Sequence, residues 1–198
     1  MNPELVLAST SPYRRALLDR LGLSYRTAAP QVSEERHAGE SPQALAERLA
    51  ISKARAVATA FPDALIIGAD QVAVLEGDGG EVDILSKPGH HAGAVAQLRR
   101  VSGQRVQFLT GLCLYHSPSG RCHVTVTSYG VLFRPLSEAL IEAYLQRDKP
   151  YDCACSFKSE GLGIILFERL EGEDPTALIG LPLIALRRLL EQENFAIL

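Results

Sequence analysis

The chain has 198 residues, 46% of them apolar and 22% charged, with a formal net charge of −3. That length suits one domain, or at most two small lobes around a shared sheet, and it buries roughly 70% of the unfolded surface without a disulfide or metal staple. The slightly acidic balance argues against duplex nucleic acid as a partner, because phosphate neutralisation favours a basic excess, but a local cluster of Lys and Arg still suffices for a small polyanion.

No apolar run approaches the roughly 18 residues needed to span a bilayer, so no membrane association is expected. The start, Met1-Asn2-Pro3-Glu4 before the short run Leu5-Val6-Leu7-Ala8, lacks the basic and longer apolar regions of a signal peptide. The reading is cytoplasmic. Cys113, Cys122, Cys153 and Cys155 fit a reducing compartment as free thiols.

Leu5-Val6-Leu7-Ala8 reads as a short buried strand. Ser9-Thr10-Ser11-Pro12 follows as a loop and helix start, with Ser11 as N-cap and Pro12 at the first helical position. Leu17, Leu18 and Leu21 supply that helix's apolar face, and Gly22 its stop. Ser41-Pro42 starts a second helix by the same device, with Leu45, Leu49 and Val57 on its inner stripe. Residues 64–69 form a strongly apolar strand with Asp70 at its C-terminal end. The acidic, turn-rich stretch Glu76-Gly77-Asp78-Gly79-Gly80-Glu81 reads as a solvated hairpin tip; its spacing does not match an EF-hand.

Ser86-Lys87-Pro88 closes that segment, and a helix follows from about 90 to 101, ended by Gly103. Residues 107–115 and 121–133 read as two strands joined by the turn 116–120. Cys113, His116, Cys122 and His123 lie close in sequence there, yet their spacing matches no zinc finger or ribbon. The pattern favours a hairpin carrying two small buried thiols. Ser137 caps a helix to about 147; residues 152–163 form a polar, glycine-bearing loop, 164–167 a strand and 182–193 the last helix. The mixture suggests an α/β domain with a cleft.

There is no G-x-x-x-x-G-K-[ST] loop, no G-x-G-x-x-G after a strand, no G-x-S-x-G elbow and no H-E-x-x-H pair. The strand–Ser9-Thr10-Ser11-Pro12–helix junction is more informative. A helix N-terminus presents unpaired N–H groups to an anion, and Arg14 and Arg15 follow in its first turn. Two solvated arginines would look the same in sequence. Asp70 stands where α/β sheets place ligands, although a strand-ending turn former would too. Glu34, Lys53 and Lys87 are bland singly, and periodicity does not show that they converge.

Together, Leu7-Ala8-Ser9-Thr10-Ser11-Pro12-Tyr13-Arg14-Arg15, Gly68-Ala69-Asp70-Gln71-Val72, Ser86-Lys87-Pro88, Ser156-Phe157-Lys158-Ser159-Glu160-Gly161 and Ile179-Gly180-Leu181-Pro182-Leu183 resemble the Maf family of nucleoside triphosphate pyrophosphatases. Five ordered motifs cover nearly the whole chain. The branch they resemble is the YceF type, whose members hydrolyse 7-methyl-GTP. The resemblance implies one Maf-like domain over 1–198, a two-lobed inosine-triphosphatase-like fold with a mixed sheet and a deep central cleft, and metal-assisted attack of water at the α-phosphate. By motif position it makes Asp70 the general base, sets Lys53 and Lys87 beside it as catalytic cations, gives Ser9 and Arg14 the phosphates, and has Glu34 and Asp70 hold Mg²⁺ or Mn²⁺. Phosphoryl chemistry needs charge neutralisation and positioning more than covalent help, so this set makes chemical sense.

Within the resemblance, Tyr13, Gln71 and Glu160 stand where family branches diverge. An aromatic face at Tyr13 suits the cationic 7-methylguanine ring. Glu160 suits the guanine N1–H and 2-amino donors, and Gln71 completes the edge readout. Taken without the family, Tyr13 is an ordinary helix-start residue and Glu160 a solvated loop acid. Two departures stand out: Cys155 where the family has a small residue, typically glycine, and Ser33-Glu34 where an Asp-Glu pair is common. The partner expected is a small-molecule nucleoside triphosphate, with a homodimer expected by likeness. A pyrimidine triphosphate pyrophosphatase of the same family and a non-catalytic nucleotide-sensing division regulator stay open as alternatives.

Overall fold

Elements run in the order β1 (Glu4–Ala8), α1 (Pro12–Asp19), β2 (Arg26–Ala28), α2 (Pro42–Ala58), β3 (Ala64–Glu76), β4 (Val82–Leu85), α3 (His91–Val101), β5 (Arg105–His116) and β6 (Arg121–Phe133). Next come α4 (Glu138–Asp148), two 3₁₀ turns (Ala154–Ser156 and Leu162–Leu166), β7 (Phe167–Glu171), α5 (Pro175–Ile179) and α6 (Leu183–Gln192). This is a computed structural model, and it describes residues 2–77 and 82–198. The fold is α/β: seven strands form one mixed sheet in the order β2-β1-β3-β5-β6-β7, with β4 paired to β3. By contacts the chain divides into two compact units, one of Met1–Gln71, Thr110–Thr127 and Asp174–Leu198, the other of Val72–Leu109 and Ser128–Glu173.

In the first unit, β1 pairs in parallel with both β2 and β3, Leu7 standing opposite Ile67. Successive side chains of a strand point to opposite faces, so β1 must be apolar throughout if both faces are covered. Leu5 and Leu7 join Leu17, Leu18, Leu186 and Leu190 on one face, whereas Val6 and Ala8 join Ala50, Ala54 and Val57 on the other. Ser11 and Ser41 cap α1 and α2 as expected, accepting from the backbone N–H groups of Arg14 and Ala44. Small residues then bring α2 against the sheet: a Cβ at Gly68 would lie 2.2 Å from the carbonyl oxygen of Ala50, and one at Gly111 2.2 Å from that of Ala46. That close approach sets Lys53 of α2 beside Asp70.

The second unit pairs the far half of β3 with β4 and the end of β6 with β7, both antiparallel. Its core contains edge-to-face contacts among Phe108, Phe133, Phe157 and Phe167, with ring centroids 4.9–5.7 Å apart.

Several sequence expectations need correction. The strand before Asp70 does not end there; β3 continues to Glu76 because Val72-Ala73-Val74-Leu75 supplies more buried strand. Asp70 instead sits just past the last β3 residue paired with β1, Ile67. The strand expected at 164–167 is displaced to β7, since Ile164 and Ile165 lie exposed in a 3₁₀ turn. The short β2 and α5 had no clear sequence signal. The acidic tip falls largely on residues 78–81, outside the described residues. Cys113 and Cys122 lie with sulfurs 2.9 Å apart on the β5–β6 hairpin, the first buried and the second half-buried. Among the described residues no three His, Cys, Asp or Glu side chains cluster as a metal site. Among them also, no helix is long and apolar enough to cross a membrane.

Glu193, just past α6, ties the chain's last helix to β6. It accepts from Arg121 Nε and Nη2 at 3.1 and 2.8 Å and contacts His123 Nε2 at 2.6 Å. The Arg121 bonds first, opposed by burial and aided by His123, hold its carboxyl at about 2. A depressed carboxylate contributes stability above its unfolded pKa and loses it as pH falls through the folded value. Glu193→Gln should therefore flatten the fall in stability between about pH 5 and 2, by on the order of 1 kcal/mol once solvent screening is counted. Parallel acid-denaturation curves for the two proteins would rule this out.

Candidate active site

The first unit gathers four charged groups at the C-terminal end of its parallel strands, the edge where such sheets bind ligands. Lys53 Nζ lies 2.6 Å from Asp70 Oδ1 and 2.6 Å from Glu34 Oε1, so one ammonium bridges two carboxylates. Lys53 and Asp70 are each only 7% exposed. The Glu34 side chain is 56% exposed. Burial pushes the Asp70 carboxyl above the usual range, and Lys53, then Arg14, draw it back down. Desolvation likewise holds the Arg14 guanidinium below its ordinary value, countered by Asp70 and Glu34.

Each group is fixed from behind. Arg14 donates from Nε to the carbonyl of Gly180 at 2.8 Å, which settles the plane of its guanidinium. Ser9 is buried directly after β1, and its Oγ accepts from Ser11 N–H at 3.1 Å. The loop carrying Glu34 is tied to α2 by Arg48, which bonds Glu40 at 2.6 and 2.9 Å and the Glu35 carbonyl at 2.9 Å. Those Arg48 bonds lower the Glu40 carboxyl to about 2. Arg15, paired with Arg14 in the sequence reading, is exposed. Tyr13 is half-buried at the start of α1. Gln71 follows Asp70 on β3, its Nε2 held by Thr110 Oγ1 and the carbonyls of Ala177 and Leu178.

Lys87 and Glu160 belong to the second unit, and both are exposed. Within that unit Gln97 joins their two segments, donating to the Ser86 carbonyl at 2.7 Å and accepting from Ser156 Oγ at 2.5 Å. Lys158 is an anchor here, its Nζ donating to the Asp148 carbonyl at the end of α4 at 2.9 Å. Its backbone N–H donates to Tyr144 Oη, which in turn donates to Asp148 Oδ2. Cys155 and Ser156 both have left-handed backbone, with φ of 60° and 59°. That conformation explains why glycine suits position 155, while the fully buried Cys155 thiol packs as a small apolar group.

The family model for Maf-like proteins matches residues 4–193, nearly the whole chain. The chain belongs to the Maf family. Maf proteins are in general divalent-metal-dependent nucleoside triphosphate pyrophosphatases, and so hydrolases.

The donor set of this Maf protein fits such a metal. Mg²⁺ takes hard oxygen ligands and usually only one or two protein carboxylates, completing its shell with water and phosphate. Glu34 and Asp70 converge on a single ammonium, which brings two carboxylates together despite the missing acid at Ser33. The Ser33 hydroxyl accepts from the Glu35 N–H at 3.4 Å, a turn-forming role in place of a charge. Sequence reasoning missed the groups that hold the site: Gly180, Thr110 and the α5 carbonyls. The motif Ile179-Gly180-Leu181 was visible, but its backbone oxygens carry the work and leave no side-chain signature.

Proposed function

We propose that this Maf protein hydrolyses 7-methyl-GTP to 7-methyl-GMP and pyrophosphate, by attack of water on the α-phosphate. The observation that carries the reaction class is the buried Lys53 bridge between Glu34 and Asp70, with the desolvated Arg14 coupled to both carboxylates. In this reading the Asp70 carboxylate accepts the proton of the attacking water. Burial raises its basicity and Lys53 opposes that rise, a combination that suits a general base. Ser9 and Arg14 hold phosphate oxygens, Lys53 offsets the charge that builds up on them, and Lys87 supplies a further cation. Mg²⁺ or Mn²⁺, held by Glu34 and Asp70, supplies charge neutralisation on the phosphates when bound.

Base choice rests on Tyr13, Gln71 and Glu160. Tyr13 offers a π-face to the cationic 7-methylguanine ring. Glu160 accepts from guanine N1–H and the 2-amino group, donors that a pyrimidine does not offer in that geometry. The test is pyrophosphate release from 7-methyl-GTP, GTP, dTTP, UTP and CTP with Mg²⁺ or Mn²⁺. The expected order puts 7-methyl-GTP first. Faster turnover of dTTP or UTP would overturn the base assignment and leave the reaction class standing.

A further inference from the structure

We infer that Thr110, with the carbonyl end of α5, is a positioning residue that locks the Gln71 carboxamide with its oxygen toward the ligand, so that Gln71 reads a hydrogen-bond donor on the base; this rests on the proposed role of Gln71 as a base contact. Gln71 Nε2 lies 3.1 Å from Thr110 Oγ1, 2.8 Å from the Ala177 carbonyl and 3.0 Å from the Leu178 carbonyl. Carbonyls only accept. Thr110, itself fully buried, spends its hydroxyl hydrogen on the Ala177 carbonyl at 2.9 Å and turns a lone pair to Gln71. A flipped amide would set Oε1 against two carbonyl oxygens and that lone pair. The orientation is therefore decided by chemistry: Nε2 faces the protein, and Oε1 is the atom left for recognition.

The frame behind it is stiff. Asp174, 4% exposed, accepts from the Thr176 N–H at 2.9 Å and hydroxyl at 2.5 Å, and from the Ile184 N–H at 2.9 Å. Thr176 Oγ1 accepts in turn from the Leu183 N–H at 2.8 Å, which pins α5 to the start of α6. One five-residue helix and the glycine after it thus present three carbonyls to three side chains, Ala177 to Gln71 and Thr110, Leu178 to Gln71 and Gly180 to Arg14. An acceptor-only Gln71 suits a base edge bearing N–H groups, and a site built to bond a donor rejects ligands that lack one.

The test compares binding of 7-methyl-GTP with that of inorganic tripolyphosphate, which has no base. Thr110→Val should weaken 7-methyl-GTP binding about five- to tenfold and leave tripolyphosphate unchanged, the worth of one well-placed neutral hydrogen bond. Thr110→Ser should restore the parent value, and Thr110→Val should add nothing on top of Gln71→Met, since it acts through Gln71. Equal effects on both ligands, no effect on either, or full additivity would overturn the inference. A second measurement needs only the parent protein: the Gln71 side-chain NH₂ protons should exchange with solvent about tenfold more slowly than those of the exposed Gln43. Equal exchange rates would overturn it too. Absent 7-methyl-GTP turnover with the binding split intact would sink the proposed function and spare this inference; turnover without the split would do the reverse.

Discussion

Asp70→Asn should lower pyrophosphate release from 7-methyl-GTP by roughly 10²–10⁴-fold, the range lost when a positioned base is removed, while nucleotide binding should change only a few-fold. The substitution keeps the shape of the side chain and an oxygen for Lys53, whose Nζ now lies 2.6 Å from Oδ1. It removes the capacity to take a proton from water. Folding should survive, because the amide oxygen still accepts from Lys53 and Lys53 keeps its ion pair with Glu34 at 2.6 Å. The split between turnover and binding is what separates the readings. A nucleotide-sensing regulator would need only the binding half, and its cellular output would be indifferent to the change. Pyrophosphate release at the parent rate would remove Asp70 from the role of base.

How legible this was in sequence depends on whether a feature is local. The capped starts of α1 and α2 announce themselves, because Ser-Pro before an apolar-periodic run has a local cause. Asp70, at the end of an apolar strand, and Arg14, in the first turn of the helix after one, were likewise candidates from position alone, whereas the role of Ser9 came from the resemblance. Their convergence was not legible. Lys53 lies seventeen residues from Asp70 along the chain, and it reaches the carboxylate because Gly68 and Gly111 let α2 close on the sheet. No side-chain pattern encodes that approach. Ile164 and Ile165 misled in the opposite sense: an apolar pair suggested a buried strand, yet both are exposed, and β7 starts only at Phe167, whose ring packs among other aromatics. The family resemblance supplied what periodicity lacked, by linking distant motifs before any geometry was known.

Lys53→Met is expected to cost both stability and activity, and the stability loss should be repaired by a second substitution at Asp70. Among the described residues, Lys53 is the cation that bonds Asp70, at 2.6 Å. Removing it strands a buried carboxylate, a change that costs about 3–5 kcal/mol for fully buried pairs. Arg14 still draws the Asp70 carboxyl down, so a loss of about 2–3 kcal/mol is the better expectation. For a chain of this size that corresponds to a melting temperature lower by roughly 5–10 °C. Adding Asp70→Asn removes the stranded charge, so the double variant should melt above Lys53→Met alone. Adding Glu34→Gln should not rescue it, because the Glu34 side chain is 56% exposed and water already solvates its charge. Thermal melts of the three variants in metal-free buffer check this. Equal rescue by both second substitutions would mean that the two carboxylates share the ammonium evenly, and no rescue by either would mean that Lys53 acts through packing of its stem rather than its charge. Turnover should fall in Lys53→Met and stay low in the rescued double variant, since restoring the fold returns neither the Lys53 ammonium nor the Asp70 carboxylate.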